Sequence, residues 1–164
     1  MNVMLLRHAD QTRDMVPHLQ TLANLAAEAP TVVEYGVRSA VSTWALLEGL
    51  RPDGSLWSVD IDPDIAVPPL VSSDPRWRLV IGDSGEPLDN LPAHCDLLFI
   101  DTDHEYHHTL LELAGGDRMD AWRIALHDWN LPDVEDAVAG FVRRSRYRIE
   151  RIEPSTWGLV VLAR

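Results

Sequence analysis

The chain has 164 residues and carries 14 Lys and Arg against 26 Asp and Glu, a formal charge of -12 at pH 7. That length fits one domain, residues 1–164, with a sizeable core, and the acidic balance with its scattered cations excludes a nucleic-acid partner. The apolar stretch in the opening MNVMLLRHADQTRD is too short for a secretion signal, and no apolar run approaches the ~20 residues of a membrane span, so a soluble, cytoplasmic protein is expected.

In chain order, a helix is predicted over 15–28, with Val16, Leu19, Leu22, Ala23 and Ala26 on one side, and Pro30 separates it from a strand over 31–35. A helix over 39–50 and strands over 55–60 and 76–81 follow, with the Pro-rich stretch 63–75 read as a surface loop. A strand over 96–100 precedes a helix over 104–113 closed by Gly115 and Gly116. A strand over 122–127 and a helix over 134–144, opened by Pro132 and Asp133, come next. The tail reads as two strands, 147–152 and 157–162, joined by a short turn and able to pair as an antiparallel hairpin. Apolar strands alternating with helices predict an α/β domain: a Rossmann-like, doubly wound, mainly parallel seven-stranded sheet ending in that hairpin. The single cysteine, Cys95, rules out an internal disulfide and reads as a buried small residue.

In such a sheet ligands bind beyond the carboxyl ends of the strands. Here those ends are acidic: Glu34-Tyr35-Gly36, Asp60-Ile61-Asp62, Gly82-Asp83-Ser84, Asp101-Thr102-Asp103 and His127-Asp128. One carboxylate at such a place is an ordinary helix cap, whereas a whole row outlines a cleft. The first turn holds a single glycine, Gly36, which argues against a pyrophosphate and against NAD. A carboxylate-lined cleft favours a ligand with hydroxyls and positive charge, as in S-adenosylmethionine (SAM), and Asp60 lies near the ~20-residue spacing at which a ribose-binding acid is expected.

The segments VVEYGVRSAVSTWALLEGL, LWSVDID, IGDS, LLFIDTDHEYHHTLLEL and IALHDW resemble, in order and spacing, the class I SAM-dependent methyltransferases, nearest to the small-molecule O-methyltransferases and the cephalosporin-hydroxylase-like group. The resemblance implies that Glu34 and Gly36 form the first SAM loop, that Ser42 meets the methionine carboxylate, Asp60 the ribose, and Asp83 with Ser84 the adenine edge. It further implies catalysis by Asp101 and by His104 as general base on a small-molecule hydroxyl, with Mg²⁺ assistance left open. Asp101 and Asp128 match the family's two metal carboxylates. Trp129 stands where the family's third ligand belongs, so Asn130, Glu105 or Asp103 would take that place. Homo-oligomerisation is left open.

Three rival readings stand beside this one. His104-Glu105-Tyr106-His107-His108 satisfies HExxH and would suit a zinc hydrolase, although the metzincin extension fails at Leu111 and Ala114. A SAM-binding or interaction domain without catalysis is the second, and an NAD-dependent oxidoreductase the third. Trp44 and Trp57 are expected in the core. Trp129 is a candidate acceptor-pocket wall, and His8 and His18 are candidates to fold over the cleft.

Overall fold

The computed structural model describes residues 14–164; His8 and the opening segment lie outside the described residues. A 3-10 turn, Val16–His18, runs into helix α1 (Leu19–Ala27). There follow β1 (Thr31–Tyr35), α2 (Val41–Gly49), β2 (Ser55–Asp60), the one-turn helix α3 (Pro69–Ser72), β3 (Trp77–Ile81) and β4 (Leu97–Ile100). The rest comprises α4 (Tyr106–Arg118), β5 (Arg123–His127), α5 (Pro132–Val142), β6 (Arg148–Glu153) and β7 (Leu159–Ala163). Among the described residues no helix is long and apolar enough to cross a membrane.

The strands form a seven-stranded sheet in the order β3-β2-β1-β4-β5-β7-β6. The run from β3 to β5 is parallel, and β7 lies antiparallel to both β5 and β6, the expected Rossmann-like architecture. β4 is flanked by strands and covered on both faces, so all of LLFI is buried and its sequence is a continuous apolar run. The pleat divides the core: Val32, Leu97 and Phe99 pack with Leu22 of α1 and Leu46 of α2, whereas Val33, Leu98 and Ile100 pack with Leu113 of α4 and Val138 of α5. The chain winds outward from β1 through β2 to β3, then returns to the other side of β1 as β4. Connections after β1 and β4 therefore leave in opposite senses and open a crevice between them.

The structure corrects one boundary. Gly115 and Gly116 do not close α4; the helix runs through both to Arg118. A β-carbon on Gly116 would lie 2.8 Å from Leu98 Cδ2 and from Ile124 Cδ1, so the glycine serves the close seating of helix on sheet. The stop comes at Asp120, in the left-handed region at φ 55°. There Asp120 N–H donates to Asp117 O and Ala121 N–H to Gly116 O, the paired bonds of a Schellman ending.

Glu34, fully buried on the α2 side of β1, ties three elements together. Its carboxyl accepts from Ser42 Oγ at 2.6 Å, Thr43 Oγ1 at 2.8 Å and Ser58 Oγ at 2.6 Å, and Ser58 Oγ accepts in turn from Trp77 Nε1. Burial pushes this carboxyl up to about 7, with the three hydroxyls pulling it down. The folded chain thus holds the proton more tightly than the unfolded one. That stabilisation is complete below the ordinary value of 4.5 and is lost as pH rises through about 7. Thermal unfolding should therefore show stability falling from pH 5 to pH 8, with about 2–3 kcal/mol of the loss due to this group. Glu34→Gln, which cannot ionise, should flatten that part of the slope; an unchanged slope would remove Glu34 as its source.

Candidate functional site

The connection after β1 is wound tightly. Gly36, at φ 86°, lies so close to the end of β4 that a β-carbon there would sit 2.0 Å from the Asp101 carbonyl oxygen. Arg38 and Ala40 are also left-handed, at φ 48° and 59°, a conformation that costs a non-glycine residue roughly 1 kcal/mol or more. The acid ending β2 holds the turn in place. Asp60 Oδ2 accepts the Val37 N–H at 2.9 Å and the Arg38 N–H at 3.2 Å, while Oδ1 accepts from Asp62 N–H at 2.9 Å. A carboxylate has about four lone-pair positions, so one remains for a ligand hydroxyl.

A first cavity of about 410 Å³ opens at these strand ends, lined by Gly36, Asp60, Asp83, Ser84 and Thr102, with Arg38 at its edge. A second, of about 370 Å³, lies on the other side of the β4 end between His104, Asp128, Leu131 and Trp157. The two share Arg38, Asp101 and Thr102 as a common wall.

The second cavity carries the stronger electrostatics. His104 Nε2 lies 2.6 Å from Asp128 Oδ2. Behind them the buried His127 brings Nδ1 to 2.9 Å from Asp128 Oδ2 and 3.4 Å from Asp101 Oδ1. Burial would lower His127, but its bonds to and the charges of Asp101 and Asp128 outweigh that and hold the imidazole up at about 10. Burial likewise would raise Asp128, yet hydrogen bonding and charge from His104 and His127 keep it well below the usual carboxylate range. The Asp128 carboxylate raises His104 above its ordinary value. Asp128 itself sits at φ 57°, a strained placement of the kind that surrounding contacts must enforce. Asp101, His104 and Asp128 each offer one ligand atom within 4.8 Å of the others.

The structure thus gathers Gly36, Asp60, Asp83 and Ser84 at the first cavity, and His104 and Asp128 at the second, with Asp101 between them. It sets three expected residues elsewhere. Glu34 is 0% exposed beneath α2. Ser42, 4% exposed, gives its only O–H to Glu34, which leaves its side chain no donor for a carboxylate. The Asn130 amide donates to Ser155 O and Thr156 O at the hairpin turn, so its role is to bind α5's approach to the β6–β7 connection. The HExxH reading also fails: His104 precedes α4, which begins at Tyr106, and it faces the second cavity while His108 faces the first. Trp129 packs with the core beside Leu131; Trp157 is the cavity wall instead. His18 is buried, with Nε2 2.9 Å from Ser155 Oγ and its ring 5.4 Å from that of His127. Cys95 is buried and its thiol pushed up to about 12 by that burial.

Sequence reasoning had no role for Arg38 or Glu112, and named His127 only as part of a strand end. His127 left a faint signal, a polar residue directly after the apolar run Ile124-Ala125-Leu126 and before Asp128. Glu112 left another, an acid one helical turn after His108 among leucines.

Residues 33–119 match a family model described as a methyltransferase domain. A protein of Mycobacterium sp. (strain JLS) bearing the name of an O-methyltransferase is 39% identical over 92 residues, 52% of this chain and 41% of that protein. The chain therefore spans well under half the length of the curated relatives it matches. Among solved structures, a methyltransferase of Podospora anserina with bound S-adenosylhomocysteine (SAH) superposes with a TM-score of 0.73 at 16% identity, over 99% of this chain and 88% of that one. The O-methyltransferase TomG of Streptomyces achromogenes, solved with SAM, gives 0.72 at 16% identity over 99% and 90%. Likeness at these identities establishes the shared fold.

The contact at Gly36 is open to a direct test. Gly36→Ala should destabilise the protein on the order of 3 kcal/mol in urea unfolding, because neither φ nor the neighbouring carbonyl accommodates a methyl group. A loss below about 1 kcal/mol would mean that the two strand ends separate easily.

Proposed function

We propose, since the chain belongs to the methyltransferase-domain family, that it binds SAM in the first cavity and methylates a hydroxyl of a small molecule held in the second. The observation that carries this reading is the pair of cavities meeting at Asp101 across the β4 end. A transfer along a straight line needs donor and acceptor in adjoining compartments with an open boundary, and such positioning supplies much of the acceleration.

Asp60, with its free acceptor position, suits a ribose hydroxyl, and Asp83 with Ser84 suits the adenine edge. Arg38 is the one permanently cationic side chain lining the first cavity among the described residues. With Ser42 committed to Glu34, Arg38 takes the methionine carboxylate, exchanging part of its 2.9 Å contact with Asp14. When bound, SAM supplies an electrophilic methyl carbon on a positively charged sulfur, and Asp101 at the shared wall complements that charge. With His104 Nε2 against Asp128, Nδ1 is the ring nitrogen left to take the acceptor's proton. The acceptor oxygen then forms its bond to the methyl carbon as the carbon–sulfur bond breaks, and SAH leaves. A volume of about 370 Å³ is in the range of small-molecule sites.

The three ligand atoms within 4.8 Å favour a second, compatible element. Asp101 and Asp128 would hold a hard divalent ion such as Mg²⁺, which keeps waters in its remaining positions, leaving His104 as base. Such an ion lowers the pKa of an acceptor hydroxyl.

Isothermal titration tests the first cavity: SAM and SAH should bind and NAD should not. Asp60→Ala should abolish binding. Arg38→Ala should weaken SAH about tenfold or more while leaving 5′-methylthioadenosine, which lacks the carboxylate, unchanged; equal loss for both would overturn the Arg38 assignment. Folded protein silent to SAM and SAH would overturn the function itself.

The second cavity is tested by SAH release in a screen of hydroxyl acceptors. Asp101→Ala and His104→Ala should keep SAH affinity and lower turnover by about a hundredfold or more. Since His104 works when neutral and Asp128 raises it, wild-type activity should climb with pH through an apparent pKa above 6.5. A chelator should lower the rate if a divalent ion takes part. SAH binding without turnover across the screen, unaffected by either substitution, would favour a binding domain.

A further inference from the structure

Glu112 is a buried carboxylate that the reaction above does not use. It lies on α4, is 0% exposed, and sits beneath the first cavity without lining it. Its Oε1 accepts from Ser84 Oγ at 2.6 Å and from Thr102 Oγ1 at 2.6 Å, and lies 3.3 Å from His108 Nε2. Ser84 Oγ and His108 Nε2 are in turn 3.2 Å apart. All three of these partners line the first cavity. They come from separate segments: Ser84 from the connection after β3, Thr102 from that after β4, and His108 from the first turns of α4. His108 extends the chain of contacts outward, with Nδ1 4.0 Å from Asp83 Oδ1 at the cavity edge.

The cost of this arrangement is visible in the same residue. Glu112 Oε2 is buried with no hydrogen-bond partner, and an unsatisfied polar atom is expensive to bury. A leucine in this otherwise apolar stretch of α4 would carry no such penalty. The partners that the acid does have are three cavity-lining side chains.

We propose that Glu112 is a positioning residue for the adenosine end of the ligand cavity. It acts through Ser84, Thr102 and His108 by setting the distance between the β3 and β4 ends from below. The proposal rests on the reading that the first cavity receives SAM. One oxygen draws two hydroxyl donors toward a common point, which fixes both rotamers and hence the positions of the two walls.

The test compares three Glu112 variants by SAH and 5′-methylthioadenosine titration and by thermal unfolding. Glu112→Met keeps nearly the same volume and removes both acceptors. It should bind SAH at least tenfold more weakly while staying folded, with the same loss for 5′-methylthioadenosine, since the adenosine end is what has moved. Glu112→Gln keeps a carbonyl acceptor and should restore affinity to within about threefold of wild type. Glu112→Ala replaces Met if that variant does not fold. A folded Met or Ala variant that binds SAH as tightly as wild type would overturn the positioning role, as would a Gln variant as weak as Met. Wild-type protein that binds neither ligand would instead overturn the assignment of the cavity, and this proposal with it.

Discussion

At Gly36 the end of β1 lies against the carbonyl of Asp101 more closely than any side chain permits. Both cavities follow from that contact. The left-handed turn that leads away from Gly36 points the Val37 and Arg38 amides at Asp60, which links the ends of β1 and β2. On the other side, the same contact sets the backbone from which Asp101 and Thr102 project into both compartments. The reversal of strand order between β1 and β4 makes a crevice in any sheet of this winding. The absence of a β-carbon decides how narrow its floor is.

Concentrating acids at this floor requires compensation, and the chain uses two kinds. Around Asp101 and Asp128 the compensation is charge: His127 lies beneath both carboxylates and His104 beside Asp128. Around Glu34 and Glu112 it is neutral hydroxyl donors, supplied by serines and threonines. These two acids are held inside the helix layers, where burial raises both. The site therefore has an ion-paired surface facing the cavities and a hydroxyl-bonded support behind it, and the two differ in what they touch. The first lines the cavities, and the second ties strand ends to helices.

The hairpin of β6 and β7 closes the second cavity. Asn130 and His18 both reach its connecting turn through hydrogen bonds to Ser155 or Thr156, so the first described helix, the start of α5 and the tail converge there. Trp157, 43% exposed, projects from that turn toward Leu131 and His104. The wall of the second cavity is thus made by residues far apart in the chain, brought together by the antiparallel return of β7 beside β5.

Strand and helix order, the sheet class and the acidic strand ends were all legible in the sequence. Each rests on a local period or a local chemical type: continuous apolar runs for doubly covered strands, and carboxylates directly after them. That rule placed Gly36, Asp60, Asp83, Ser84, Asp101 and Asp128 at one crevice, where they line the two cavities, because strand ends in a parallel sheet face one side; His104 came from the resemblance. The sequence could not tell which face of a strand each acid takes, so Glu34 read as a cleft residue although the pleat turns it under α2. Nor could it separate a glycine that ends a helix from Gly116, which lets a helix approach a sheet. The partners of Ser42, Asn130, His127 and Glu112 were decided by tertiary structure alone. Those contacts cross between elements, and their geometry depends on how closely layers pack, which no local spacing encodes.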